Sequence, residues 1–198
     1  MMTRIILLRA CATDFDDEGR IKGTLNIPLN QHGTEQAGRI APELADEDIS
    51  IVYFSPCQSA EETAKLVAEG LGVRCRSLKS LHNLDQGLWQ GKLIDELKEK
   101  QKKVYRQAVD QPETVCPPEG ELVSDALLRV KNAIDKLIMK HRNQVVALVA
   151  PEPMTSMLDS YLRQTELGDL WSGVCDCGSW RAIDVEPQRV PSMVAHQH

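Results

Sequence analysis

The sequence predicts an α/β fold, on three observations. Apolar runs of strand length occupy residues 3–9, 49–54 and 144–150 and are rich in aliphatic and β-branched side chains. Between them lie longer stretches whose apolar residues recur at helical spacing, punctuated by polar segments carrying Gly and Pro. A chain of 198 residues with 42% hydrophobic and 26% charged residues is long enough for one such core, and its composition demands no second one.

The first run ends on a single cation, Arg9, and passes into Ala10, Cys11, Ala12 and Thr13. That places Arg9 where a buried strand opens into a loop at the carboxyl edge of the sheet, the edge at which α/β folds bind ligands. Residues 14–22 are polar and include Gly19, with Gly23 following, and read as a loop. Asn30 is placed to cap a helix over 31–44 with Ala37, Ile40, Ala41 and Leu44 on one face, and Pro42 kinks or shortens its last turn. The second strand exits through Ser55 and Pro56, a side-chain cap followed by proline at the first helical position. The helix that follows carries Ala60, Ala64, Val67 and Leu71 on one side, and Ser59 with Glu62 has the spacing of a capping box.

Residues 74–80 form a short strand candidate, and 95–109 a charged helix. There Lys98, Lys100, Lys102 and Lys103 interleave with Glu96 and Glu99 as a solvated face. Turns at Pro112 and at Cys116, Pro117 and Pro118 precede a long helix over 124–141, striped by Leu127, Val130, Ile134 and Leu137. It feeds the strand at 144–150. A helix over 154–162 sets Met154, Met157, Leu158 and Tyr161 toward a core. An edge strand at 180–185 closes the set, and residues 187–198 read as a disordered polar tail.

A net charge of −6 argues against a nucleic-acid partner, since phosphodiester backbones require clustered positive charge. No apolar segment reaches the span of a membrane and no signal-peptide pattern is seen, so a cytoplasmic protein with reduced thiols is expected. Cys175, Asp176 and Cys177 have the look of half a metal site with no histidine nearby, and no metal or cofactor is assigned.

Four motif frames in order, across residues 3–185, resemble the histidine phosphatase superfamily, also called phosphoglycerate mutase-like. The first is the strand ending at Arg9, which in that family continues into His and Gly, where this chain has Ala10 and Cys11. The second runs from Ser55 and Pro56 through Ala60, Thr63 and Ala64, with Ser59 at the position of a second phosphate-binding arginine. The third, Leu81 to Gly91, keeps Gly87, Trp89 and Gly91 but has Asn83 where the general-acid glutamate belongs. The fourth is the strand at 144–150, which ends in Pro151 and Glu152 where the family has its second catalytic histidine and a glycine. The loop at 19–30, with Pro28 and Leu29, and the turn Pro118, Glu119, Gly120, Glu121 are further likenesses.

The resemblance implies a three-layer α/β/α fold with a mostly parallel sheet, one domain over 1–186, a helical lid inserted at about 92–121, and a possible homodimer. With Ala10, Ser59, Asn83 and Pro151 at its key positions, it implies a protein that is not an enzyme, retaining a pocket for a small molecule or protein partner. The candidate ligand-binding residues are Arg9, Asp16, Arg20, Ser59, Asn83 and Glu152, with anion binding weakened because Arg9 faces Glu152. Two alternatives stand beside it. One is an active phosphomonoesterase or phosphomutase with other catalytic groups, for which Cys11 as nucleophile or His82 as acid were weighed against plain packing and solvent roles. The other is an interaction module using its outer surface.

Overall fold

The computed structural model describes residues 2–173 and 176–186. A five-stranded sheet of order β3-β2-β4-β1-β5 forms the centre. Its strands are β1 (Thr3–Arg9), β2 (Ile49–Phe54), β3 (Arg74–Ser77), β4 (Val145–Ala150) and β5 (Trp180–Val185). All neighbours are parallel except β5, which runs antiparallel along the outer side of β1.

Period-two alternation divides the core. Ile5 and Leu7 of β1, with Val146 and Leu148 of β4, face one way and pack under α6 (Val123–Lys140) and α7 (Met154–Arg163). Ile6 and Leu8, with Ala147 and Val149, face the other way, under α2 (Gln31–Glu43) and α3 (Gln58–Leu71). A strand buried on both faces must be apolar at every position, which is why β1 and β4 read as unbroken hydrophobic runs. Each large side chain so buried contributes about 1.5–3 kcal/mol. Three layers result, as the resemblance implied.

Several local expectations are corrected. Residues 14–17 are not loop but a short helix, α1 (Asp14–Asp17), because Thr13 and Asp16 form a reciprocal capping box. Ser55 does not cap α3: its hydroxyl donates to the Leu81 carbonyl at 2.5 Å, and Cys57 holds the cap position without a side-chain bond. Nor do Ser59 and Glu62 form a capping box, since the Glu62 carboxylate accepts instead from the Leu29 backbone and the Gln58 amide. The charged helix at 95–109 is two helices, α4 (Ile94–Lys100) and α5 (Lys102–Asp110), broken at Gln101. The polar tail at 187–198 and Cys175 lie outside the described residues. Among the described residues, no helix is long and apolar enough to cross a membrane.

Candidate active site

Arg9 ends β1 directly beside Ala150, the last residue of β4. Beyond these two strand ends opens a cavity of about 270 Å³, whose walls include Arg9, Asp16, Arg20, Lys22, Glu152 and Trp171. It lies at the carboxyl edge of the sheet, next to the point where the chain, having left β1 for β2, returns to place β4 between them.

Asp16 organises the floor. The α1 capping box turns its carboxylate back to accept from the Thr13 backbone N–H at 2.9 Å and the Thr13 hydroxyl at 2.7 Å. Lys22 Nζ donates to both carboxylate oxygens, at 2.8 and 2.7 Å, and Arg9 Nη2 to one of them at 3.4 Å. Burial by itself would raise the Asp16 pKa, but the Lys22 charge, with the hydrogen bonds from Lys22 and Thr13, holds it below its ordinary value of 3.8. The buried Lys22 and the partly buried Arg9 thus share one largely buried anion, and an ammonium with two bonds made retains a third N–H.

On the opposite wall, Glu152 Oε2 accepts from the Ser156 backbone N–H at 3.2 Å and the Ser156 hydroxyl at 2.6 Å. Its Oε1 is buried and has no hydrogen-bond partner among the described residues. Gly173, at φ +66°, brings the chain against both groups: a Cβ there would stand 2.9 Å from Arg9 Nη1 and 3.6 Å from Glu152 Oε1. Trp171 stacks on Tyr105 and meets Trp89 edge-on, and its indole nitrogen is likewise buried without a partner. Arg20 sits at the rim, its Nε toward Glu18 and its Nη1 on the Gly91 carbonyl at 2.8 Å.

Four candidates from the sequence, Arg9, Asp16, Arg20 and Glu152, therefore share the cavity, and two do not line it. Ser59 is buried in the first turn of α3, its hydroxyl 3.8 Å from Cys57 Sγ. Asn83 is buried behind the wall: its amide donates to the Gly23 and Glu152 carbonyls at 2.8 and 2.9 Å and its Oδ1 accepts from the Met154 N–H. That side chain braces two walls. Ala10 and Pro151 are buried at the strand ends.

Cys11 belongs to the core on the α2/α3 face, and burial pushes its thiol up to about 11. Cys177 is pushed equally high, by burial and then by the Asp16 charge, so both thiols stay protonated at neutral pH. His82 Nδ1 is occupied 3.1 Å from the Asn83 carbonyl oxygen. Lys22 and Trp171 were missed in the sequence. A lone lysine between Ile21 and Gly23 was the available signal, since a charge flanked by an apolar residue and a glycine is poorly placed for a solvated face.

The family model of the histidine phosphatase superfamily (branch 1) matches residues 5–196. The chain belongs to that superfamily. Phosphoserine phosphatase 1 of Hydrogenobacter thermophilus is 31% identical over 189 residues, covering 95% of this chain and 89% of that protein. Among solved structures, YhfR of Bacillus stearothermophilus superposes with a TM-score of 0.82 at 25% identity, covering 93% and 92% of the two chains. A putative alpha-ribazole-5'-P phosphatase of Escherichia coli gives 0.79 at 24%, covering 93% and 91%, which shows the shared fold.

These relatives correct the expectation that the chain is not an enzyme. The H. thermophilus protein, similar to this one over nearly its whole length, is named as a phosphatase, and that likeness points to an enzyme. Substitution at individual positions of a motif was too narrow a basis for the opposite conclusion, because a site is a set of groups in space and other groups can occupy it.

Proposed function

We propose that this chain is a phosphatase of small phosphomonoesters that seats the phosphate at Arg9 and Lys22 and transfers it directly to water. The observation that carries the reading is the convergence of two cations, the buried Lys22 and the partly buried Arg9, on one cavity at the carboxyl edge of the sheet. In phosphoryl transfer the protein supplies mainly position and positive charge, so such a pair is the indispensable part.

With Ala10 and Pro151 at the places where the family resemblance expects imidazoles, and with the Cys11 and Cys177 thiols protonated, direct displacement is the route the remaining groups support. Water attacks phosphorus in line with the leaving oxygen. The new P–O bond forms as the ester P–O bond breaks, and the two protons of water end one on inorganic phosphate and one on the alcohol. The name of the H. thermophilus relative makes phosphoserine a first substrate to try.

The test is release of inorganic phosphate from p-nitrophenyl phosphate and phosphoserine by the purified chain and by Arg9→Ala. Loss of one charge-assisted donor costs about 10²–10³-fold in turnover. Release no greater than that of Arg9→Ala would contradict the proposal.

A further inference from the structure

We propose that Glu152 recognises a protonated amine on the substrate, which makes the preferred phosphomonoester of this chain an amine-bearing one. The inference rests on the phosphomonoester reading above and adds the chemistry of the organic part. Glu152 Oε2 is fixed by two hydrogen bonds from Ser156, so the carboxylate has a set orientation in the cavity wall. Its other oxygen, Oε1, is buried with no donor, although a carboxylate oxygen withdrawn from water loses its hydration and is costly to leave unmatched. Among the described residues, Arg9 and Lys22 are already directed at Asp16 on the facing side. The missing donor is therefore one that a ligand brings.

Placement selects the donor. Arg9 Nη1 and Glu152 Oε1 both pack against Gly173, and both residues line the same cavity, so a small molecule with an anionic group on the Arg9 side has Glu152 within reach of its organic part. An ammonium gives the carboxylate both a hydrogen bond and an opposite charge, a neutral hydroxyl gives the hydrogen bond alone, and a methyl group leaves Oε1 as bare as before. A phosphate and an ammonium a few bonds apart thus match the two walls in sign and order.

The experiment compares three phosphate esters of one skeleton: phosphoethanolamine, 2-hydroxyethyl phosphate and ethyl phosphate. Wild-type kcat/KM is expected to favour the amine over the ethyl ester by about tenfold or more, with the hydroxyl between them. In Glu152→Gln, which keeps the shape and an oxygen for Ser156, and in Glu152→Ala, the preference is expected to fall to within about threefold. The same ratios are read as Kd values by calorimetry, so that absence of turnover does not hide recognition. Equal handling of the three esters by the wild type, or a preference that survives in both variants, overturns the role of Glu152 while leaving the phosphatase reading intact. Amine-selective binding without any phosphate release does the reverse.

Discussion

Asp16 shows how much of the site is decided by one carboxylate. Thr13 aims it, and Lys22, only 7% exposed, depends on it for its charge partner. Removing one member of a buried pair leaves the other uncompensated, so Asp16→Asn should destabilise the protein by about 3 kcal/mol at pH 7. Because the folded state lowers this pKa, the contribution is complete above the ordinary value of 3.8 and is lost as pH falls through the lower, folded value. Denaturant unfolding should therefore show the wild type and Asp16→Asn converging in strong acid, and a gap that stays constant with pH would contradict the assignment. Arg9, Asp16, Arg20 and Glu152 were legible in the sequence because each lies on a strand end or in the segment just beyond one. Lys22 was not, since nothing local says that it folds back six residues onto Asp16. Trp171 was hidden for a different reason: its place depends on Tyr105 and Trp89, which are distant in the chain.

At the scale of elements, the site is held by close approaches between segments. Gly33, in the first turn of α2, lies against the loop leaving β1 so tightly that a Cβ would stand 2.1 Å from the Ala12 carbonyl oxygen. Backbone cannot swing aside as a side chain would, so Gly33→Ala should cost about 1–3 kcal/mol and lower the melting temperature. An unchanged melting temperature would show that α2 does not constrain that loop. Asn30, which accepts from the Gly33 N–H at 2.8 Å, was readable as the cap of this helix, and Asn30→Ala should cost about 1 kcal/mol in the same measurement. Ser55 was misread because a serine before a proline has the local chemistry of a cap, whereas its hydroxyl is claimed by Leu81, 26 residues away. The break at Gln101 was equally invisible, because no Gly or Pro marks it and the charged, polar run continues on both sides.

For the whole molecule, the sheet order decides where chemistry is possible. Inserting β4 between β2 and β1 brings Arg9 and Ala150 side by side, and with them the segments that carry Asp16, Lys22 and Glu152. The fold was readable because strands buried on both faces leave unmistakable apolar runs. The activity was less so, since single motif positions do not show which groups surround them in space. The decisive measurement is a rapid quench into alkaline denaturant, in which a phosphorylated imidazole would survive, of a reaction with substrate labelled in its phosphoryl group. Inorganic phosphate is expected to accumulate while no label is retained on the protein at any time. Label bound covalently to the chain, or no phosphate formed at all, would contradict direct transfer to water.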